Sequence, residues 1–103
     1  MIPTQTRIFV CTERQDMRRS FDALAQTVRE RLQLDPDSGA LFVFASKRGN
    51  RIKVLWFDYN GHCILYKRLH RASFDLPDAT DIKRPLATID ARTLAMILRG
   101  VAK

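Results

Sequence analysis

The stretch from Leu41 to Arg71, LFVFASKRGNRIKVLWFDYNGHCILYKRLHR, constrains the fold more than any other part of the chain. Three apolar runs, Leu41 to Ala45, Ile52 to Phe57 and Cys63 to Leu69, are each short enough for a strand, and two turn signals separate them. In the first turn, Lys47 to Arg51, Gly49 and Asn50 are the residue types that most readily take positive φ. In the second, Asp58 to Gly61, the pair Asn60-Gly61 is the strongest short hairpin signal in the sequence. Two adjacent hairpins make a three-stranded antiparallel meander. Strand alternation sorts Ile52, Val54 and Trp56 to one face and Lys53, Leu55 and Phe57 to the other. In the third strand Cys63, Leu65, Lys67 and Leu69 are sorted from Ile64, Tyr66 and Arg68. Leu41 to Ala45 is nearly all apolar, which predicts a strand covered on both faces.

The flanks supply helices. Arg7 to Cys11 is a β-branched and aromatic run that predicts a first strand. Asp16 is a plausible N-cap for a helix in which Met17, Phe21, Leu24, Ala25, Val28 and Leu32 recur at spacings of three and four. That helix is expected to end near Leu32 or Gln33, and the turn formers from Asp35 to Gly39 reverse the chain. Asp75 to Pro85 is polar with two prolines and predicts a surface loop. Thr88 or Asp90 then caps a last helix with Leu94, Ile97, Leu98 and Val101 on its apolar stripe, and Arg99 with Gly100 marks its end. The expected fold class is α+β, a small antiparallel sheet built on the meander, with an N-terminal strand and two packed helices. The first strand, or a short one near Phe74, would extend the sheet. At 103 residues the chain, 1–103, is expected to be a single domain.

Charge marks the same stretch. Residues 47 to 71 carry seven basic side chains and one acidic one, whereas 1 to 46 carry six of each and 72 to 103 carry five and four. Six of the seven net positive charges thus sit in the meander, and a pI near 10 points to a polyanionic partner. Lys47, Arg48, Arg51, Lys53, Lys67, Arg68 and Arg71, with Trp56, Tyr59 and Tyr66 among them, have the composition of a surface that tracks phosphates and offers stacking groups. The same pattern also protects a sheet edge from aggregation, and Trp56 or Tyr66 would be a core or a stacking group. Metal binding is not expected, because His62, Cys63 and His70 match no paired-ligand spacing and neighbours on a strand face opposite ways. The carboxylates lie mostly at caps and turns, there is no glycine-rich phosphate loop, and no catalytic residue or cofactor is expected. Sparse cysteines favour reduced thiols, and without an apolar run of about 20 residues no membrane span is expected, so the setting is taken as cytoplasmic.

Asp16-Met17-Arg18-Arg19-Ser20-Phe21-Asp22, Asp35-Pro36 with Ser38-Gly39, Leu41-Phe42-Val43-Phe44, the run Lys47 to Asp58, Gly61 and Lys67-Arg68-Leu69 together resemble one family over nearly the whole chain. It is the TnpB-type accessory protein encoded by the second open reading frame of the insertion-sequence sixty-six family of bacterial transposable elements. The segment Arg71 to Pro77 departs from that pattern, lacking a glycine and a tryptophan around Phe74 and Pro77. The resemblance implies an accessory role in transposition beside a separate, larger transposase, with that transposase and other element-encoded proteins as partners. DNA is expected as a partner from the basic hairpin, and a non-catalytic role from the lack of a convergent site. Two roles are open: DNA contact through the basic hairpin, or an adaptor for the transposase that does not touch DNA. The oligomeric state is not legible.

Overall fold

A computed structural model describes residues 6–102. Its central sheet has five strands: β1 (Ile8–Cys11), β2 (Leu41–Ala45), β3 (Arg51–Asp58), β4 (Gly61–Arg68) and, late in the chain, β6 (Leu86–Ile89). Their order is β4-β3-β2-β1-β6. The predicted meander is present, with β2, β3 and β4 antiparallel in sequence order. The rest of the sheet is mixed. β1 runs parallel to β2 because helix α1 (Phe21–Thr27) and a following π-helical turn (Val28–Leu32) carry the chain back to the end of the sheet where β1 began. β6 then lies antiparallel on the far side of β1, pairing Phe9 with Thr88. The α+β class with an N-terminal strand and packed helices is therefore the fold, with one more strand in the central sheet than the sequence predicts, while the short strand expected near Phe74 forms at Ala72–Ser73 but pairs outside this sheet.

The two faces of the sheet carry separate cores. Toward α1, Phe9, Phe42, Phe44 and Leu55 pack against Leu24, Val28 and Leu32. On the opposite face Ile8, Val10, Val43, Ile52 and Val54 pack against Phe74 and against Leu94 and Ile97 of helix α2 (Ala91–Arg99). Every residue of β2 is buried, as its unbroken apolar run predicts. Burying a side chain of this size contributes about 1.5–3 kcal/mol, so these paired clusters hold the layers together.

Several local expectations shift. Asp16 does not cap α1, which begins after Ser20 with no side-chain cap. Asp16 instead accepts from the backbone N–H of Arg18 and pairs with its guanidinium. The intervening carbonyls of Met17 and Arg19 accept from Lys53 Nζ, so they are not free to start helical hydrogen bonds. Asp90, the second of two candidates, caps α2 by accepting from the N–H of Thr93 at 2.8 Å. Gly100, with φ +74°, ends α2 before Val101, which leaves the expected apolar stripe and pairs in a small ribbon of β5 (Ala72–Ser73) and β7 (Val101–Ala102). In the second hairpin Gly61 is the first residue of β4, opposite Asp58, so the turn itself is Tyr59 and Asn60. The segment Asp75 to Pro85 contains no strand or helix, as predicted.

Candidate nucleic-acid interface

The first hairpin turn is built by Ser46. Its N–H donates to the carbonyl of Arg51 at 2.9 Å, its hydroxyl accepts from the N–H of Arg51, and its carbonyl accepts from the N–H of Gly49. Gly49 has φ +79°, a conformation that a side chain would strain, and a β-carbon there would come within 3.2 Å of Arg14 Nη1. The turn is also tied from behind, since Phe74 N–H donates to the Gly49 carbonyl and Leu69 N–H to the Asn50 carbonyl. Lys47 and Arg48 therefore project from a fixed turn rather than a loose loop, and both are exposed.

Arg51 and Arg68 stand directly opposite each other on β3 and β4, on the α1 side of the sheet. Because the adjoining pair, Asn50 and Leu69, is joined by a backbone hydrogen bond, Arg51 and Arg68 form the intervening pair without one, in which side chains stand closest. Like charges so placed are destabilising. Arg51 Nη1 donates to the hydroxyl of Tyr66 at 3.1 Å. Among the described residues the ion pairs are Arg18–Asp16, Arg31–Glu13 and Arg84–Asp81, and His62 Nε2 lies 2.9 Å from Asp37 Oδ1, so no carboxylate is paired with Lys47, Arg48, Arg51, Arg68 or Arg71.

Two of the seven expected cations belong elsewhere. Lys53 is not on the surface: it is 7% exposed, its ammonium donates to the carbonyls of Met17 (2.8 Å) and Arg19 (2.7 Å), and it lies 4.8 Å from the centroid of the Tyr66 ring. A buried ammonium is tolerated when its donors are used, and here it fastens the segment before α1 to the sheet. Lys67 alternates to the opposite face, where its Nζ donates to the carbonyl of Leu98 near the C-terminus of α2. Arg71 is exposed in the connection that follows β4, with φ +60°.

One cation escapes the sequence argument. Arg14 lies far upstream, yet the bridge between Gln15 and Ser46 brings it under the turn, and its Nη1 donates to the Ser46 carbonyl at 3.1 Å. Asp16 lines the same shallow depression as Lys47, Arg48 and Arg51. Its hydrogen bonds from Arg18 hold the carboxyl far below its usual range, with a smaller contribution from Lys47, so its charge is already answered. Cys11 is buried and its thiol is pushed up mainly by that burial. Among the described residues no group of three or more His, Cys, Asp or Glu side chains is placed to hold a metal ion. No helix among them is long and apolar enough to cross a membrane.

Fold and surface together define a small basic α+β protein with a group of cations, none paired with a carboxylate, at one hairpin turn and its strand ends. A family described as IS66 Orf2-like protein matches residues 6–103, and the chain belongs to that family of insertion-sequence accessory proteins. It is 42% identical to the uncharacterized protein y4hO of Sinorhizobium fredii, a match covering 98% of this chain and 87% of that protein. It is 35% identical to the uncharacterized protein y4jC of the same organism over 73% of this chain and 64% of the relative. No solved structure matches it.

Proposed function

We propose that this protein is a non-catalytic accessory factor of insertion-sequence transposition that contacts DNA through Lys47, Arg48, Arg51 and Arg68, with Arg14 and Arg71 at the margins. The observation that carries this is the Arg51–Arg68 pair, two arginines at directly opposite positions on neighbouring strands with no carboxylate paired to either, beside an anchored turn bearing two more cations. An arrangement that is unfavourable in isolation becomes favourable when phosphate oxygens sit between the charges. Guanidinium groups suit this, because their planar forks bind phosphate bidentately. Phosphate contacts of this kind position a protein on the duplex without reading its sequence. The transposase of the same element would supply the reaction.

The test is a fluorescence anisotropy titration with a duplex carrying the element's terminal sequence, repeated across salt concentrations. About four phosphate contacts predict a slope of log K against log salt near −4. Lys47→Glu combined with Arg48→Glu should flatten that slope by about 2 and leave thermal stability unchanged. Absence of binding at low salt would overturn the proposal.

A further inference from the structure

Strand β4 forms one edge of the sheet and, among the described residues, pairs only with β3. Its eight residues are long for an unprotected edge. The Arg51 carbonyl is turned toward Ser46 of the other neighbouring segment, so Arg68 opposite it aims its own N–H and C=O away from the sheet. By the same alternation His62, Ile64 and Tyr66 do so as well. Among the described residues the outer edge of β4 thus offers a row of unpaired main-chain donors and acceptors.

The two sides of that edge differ in chemistry. On the α1 side stand Arg68, Arg51 and Tyr66. On the other side Leu65 is 43% exposed and, with Trp56, borders a cleft of about 540 Å³ closed by Leu94 and Leu98 of α2. We propose that the free edge of β4 receives an extended segment of a partner protein in which acidic and apolar residues alternate, added as a further strand. Side chains of such a strand point alternately to the two faces, so its carboxylates meet Arg51 and Arg68 while its apolar residues cover Leu65 and enter the cleft. A second copy of this chain is a poor occupant, because each copy carries seven net positive charges. Nucleic acid would leave Leu65 and the cleft uncovered. The proposal does not depend on DNA contact by Lys47 and Arg48, whose charge reversal leaves it intact, whereas DNA and the partner strand would compete for Arg51 and Arg68.

The experiment titrates an acetylated, amidated peptide of the length of β4, alternating glutamate with leucine, into the isotope-labelled full chain and follows amide shifts and exchange. The expected result is that the amides of His62, Ile64, Tyr66 and Arg68 shift and become protected. Methylating alternate backbone nitrogens of the peptide, so that they no longer donate to β4, should weaken binding by about tenfold or more. Leu65→Glu, at an exposed position, should weaken it by about tenfold without unfolding the protein. The proposal is overturned if those four amides are unmoved, if the methylated peptide binds equally well, or if the shifts are confined to Lys47 and Arg48. It is equally overturned if a DNA duplex protects the amides of His62, Ile64 and Tyr66, or if sedimentation shows that the chain alone dimerises and the same amides become protected in the dimer.

Discussion

Lys53 separates charge from function at the level of one side chain. Replacing it with methionine keeps most of its bulk but strips the donor from two inward-turned carbonyls, those of Met17 and Arg19. Leaving a buried acceptor unpaired costs about 1–3 kcal/mol, so Lys53→Met should lower stability by about 2–4 kcal/mol in urea denaturation. The salt slope of DNA binding should stay unchanged, the reverse of the pattern for Lys47→Glu. Tyr59 offers the opposite case. It has φ +53° and is 93% exposed, so it spends strain on the turn and returns no packing. Asparagine tolerates that conformation better, and Tyr59→Asn should raise the melting temperature, corresponding to a gain of about 0.5–1 kcal/mol. Neither residue's situation was legible from its neighbours. Strand alternation placed Lys53 on the correct face, but only the docking of the segment before α1 turns that face into an interior.

Among the elements, the end of the first helical segment depends on a distant loop. Gln33 takes φ +56° after the π-helical turn, and the carbonyl of Leu32 accepts from Arg84 Nη1 at 3.0 Å. Arg84 is in turn held by Asp81, whose carboxyl is lowered to about 2 by the Arg84 guanidinium and by the N–H groups of Lys83 and Arg84. A carboxylate lowered in the folded state adds stability above its unfolded value of 3.8, and that stability is lost as pH falls toward 2. Glu13, Asp16 and Asp90 are lowered too, so the acid limb is shared among them. Asp81→Asn should therefore make the loss of stability between about pH 4 and 2 shallower, measured by thermal melts across that range, without abolishing it. The meander, α2 and the loop before it were legible because each is encoded locally, in alternation, an N-cap and prolines. β6 was not: Leu86 to Ile89 is too short to show a period, and it becomes a strand because β1 offers it an open edge.

For the molecule as a whole, the basic surface was legible as an excess of charge but not as a shape. Composition marked the hairpin where the charge collects, whereas the place of each cation depends on tertiary contacts that bury Lys53, turn Lys67 toward α2 and bring Arg14 under the turn. The order of pairing in the sheet has a further consequence, one of timing. β2, β3 and β4 join neighbours in sequence, while β1 must first be returned by a helical crossover and then be closed by β6 from near the other end of the chain. Closing long loops is slow, so pulse-labelled hydrogen exchange during refolding should protect the amides of Val54 and Leu65 before those of Val10 and Ala87. On the ribosome the difference is enforced by direction of synthesis. The cation-bearing hairpin is then assembled while β1 still lacks its outer neighbour, and the nascent protein carries its charged end before it has finished hiding its apolar one.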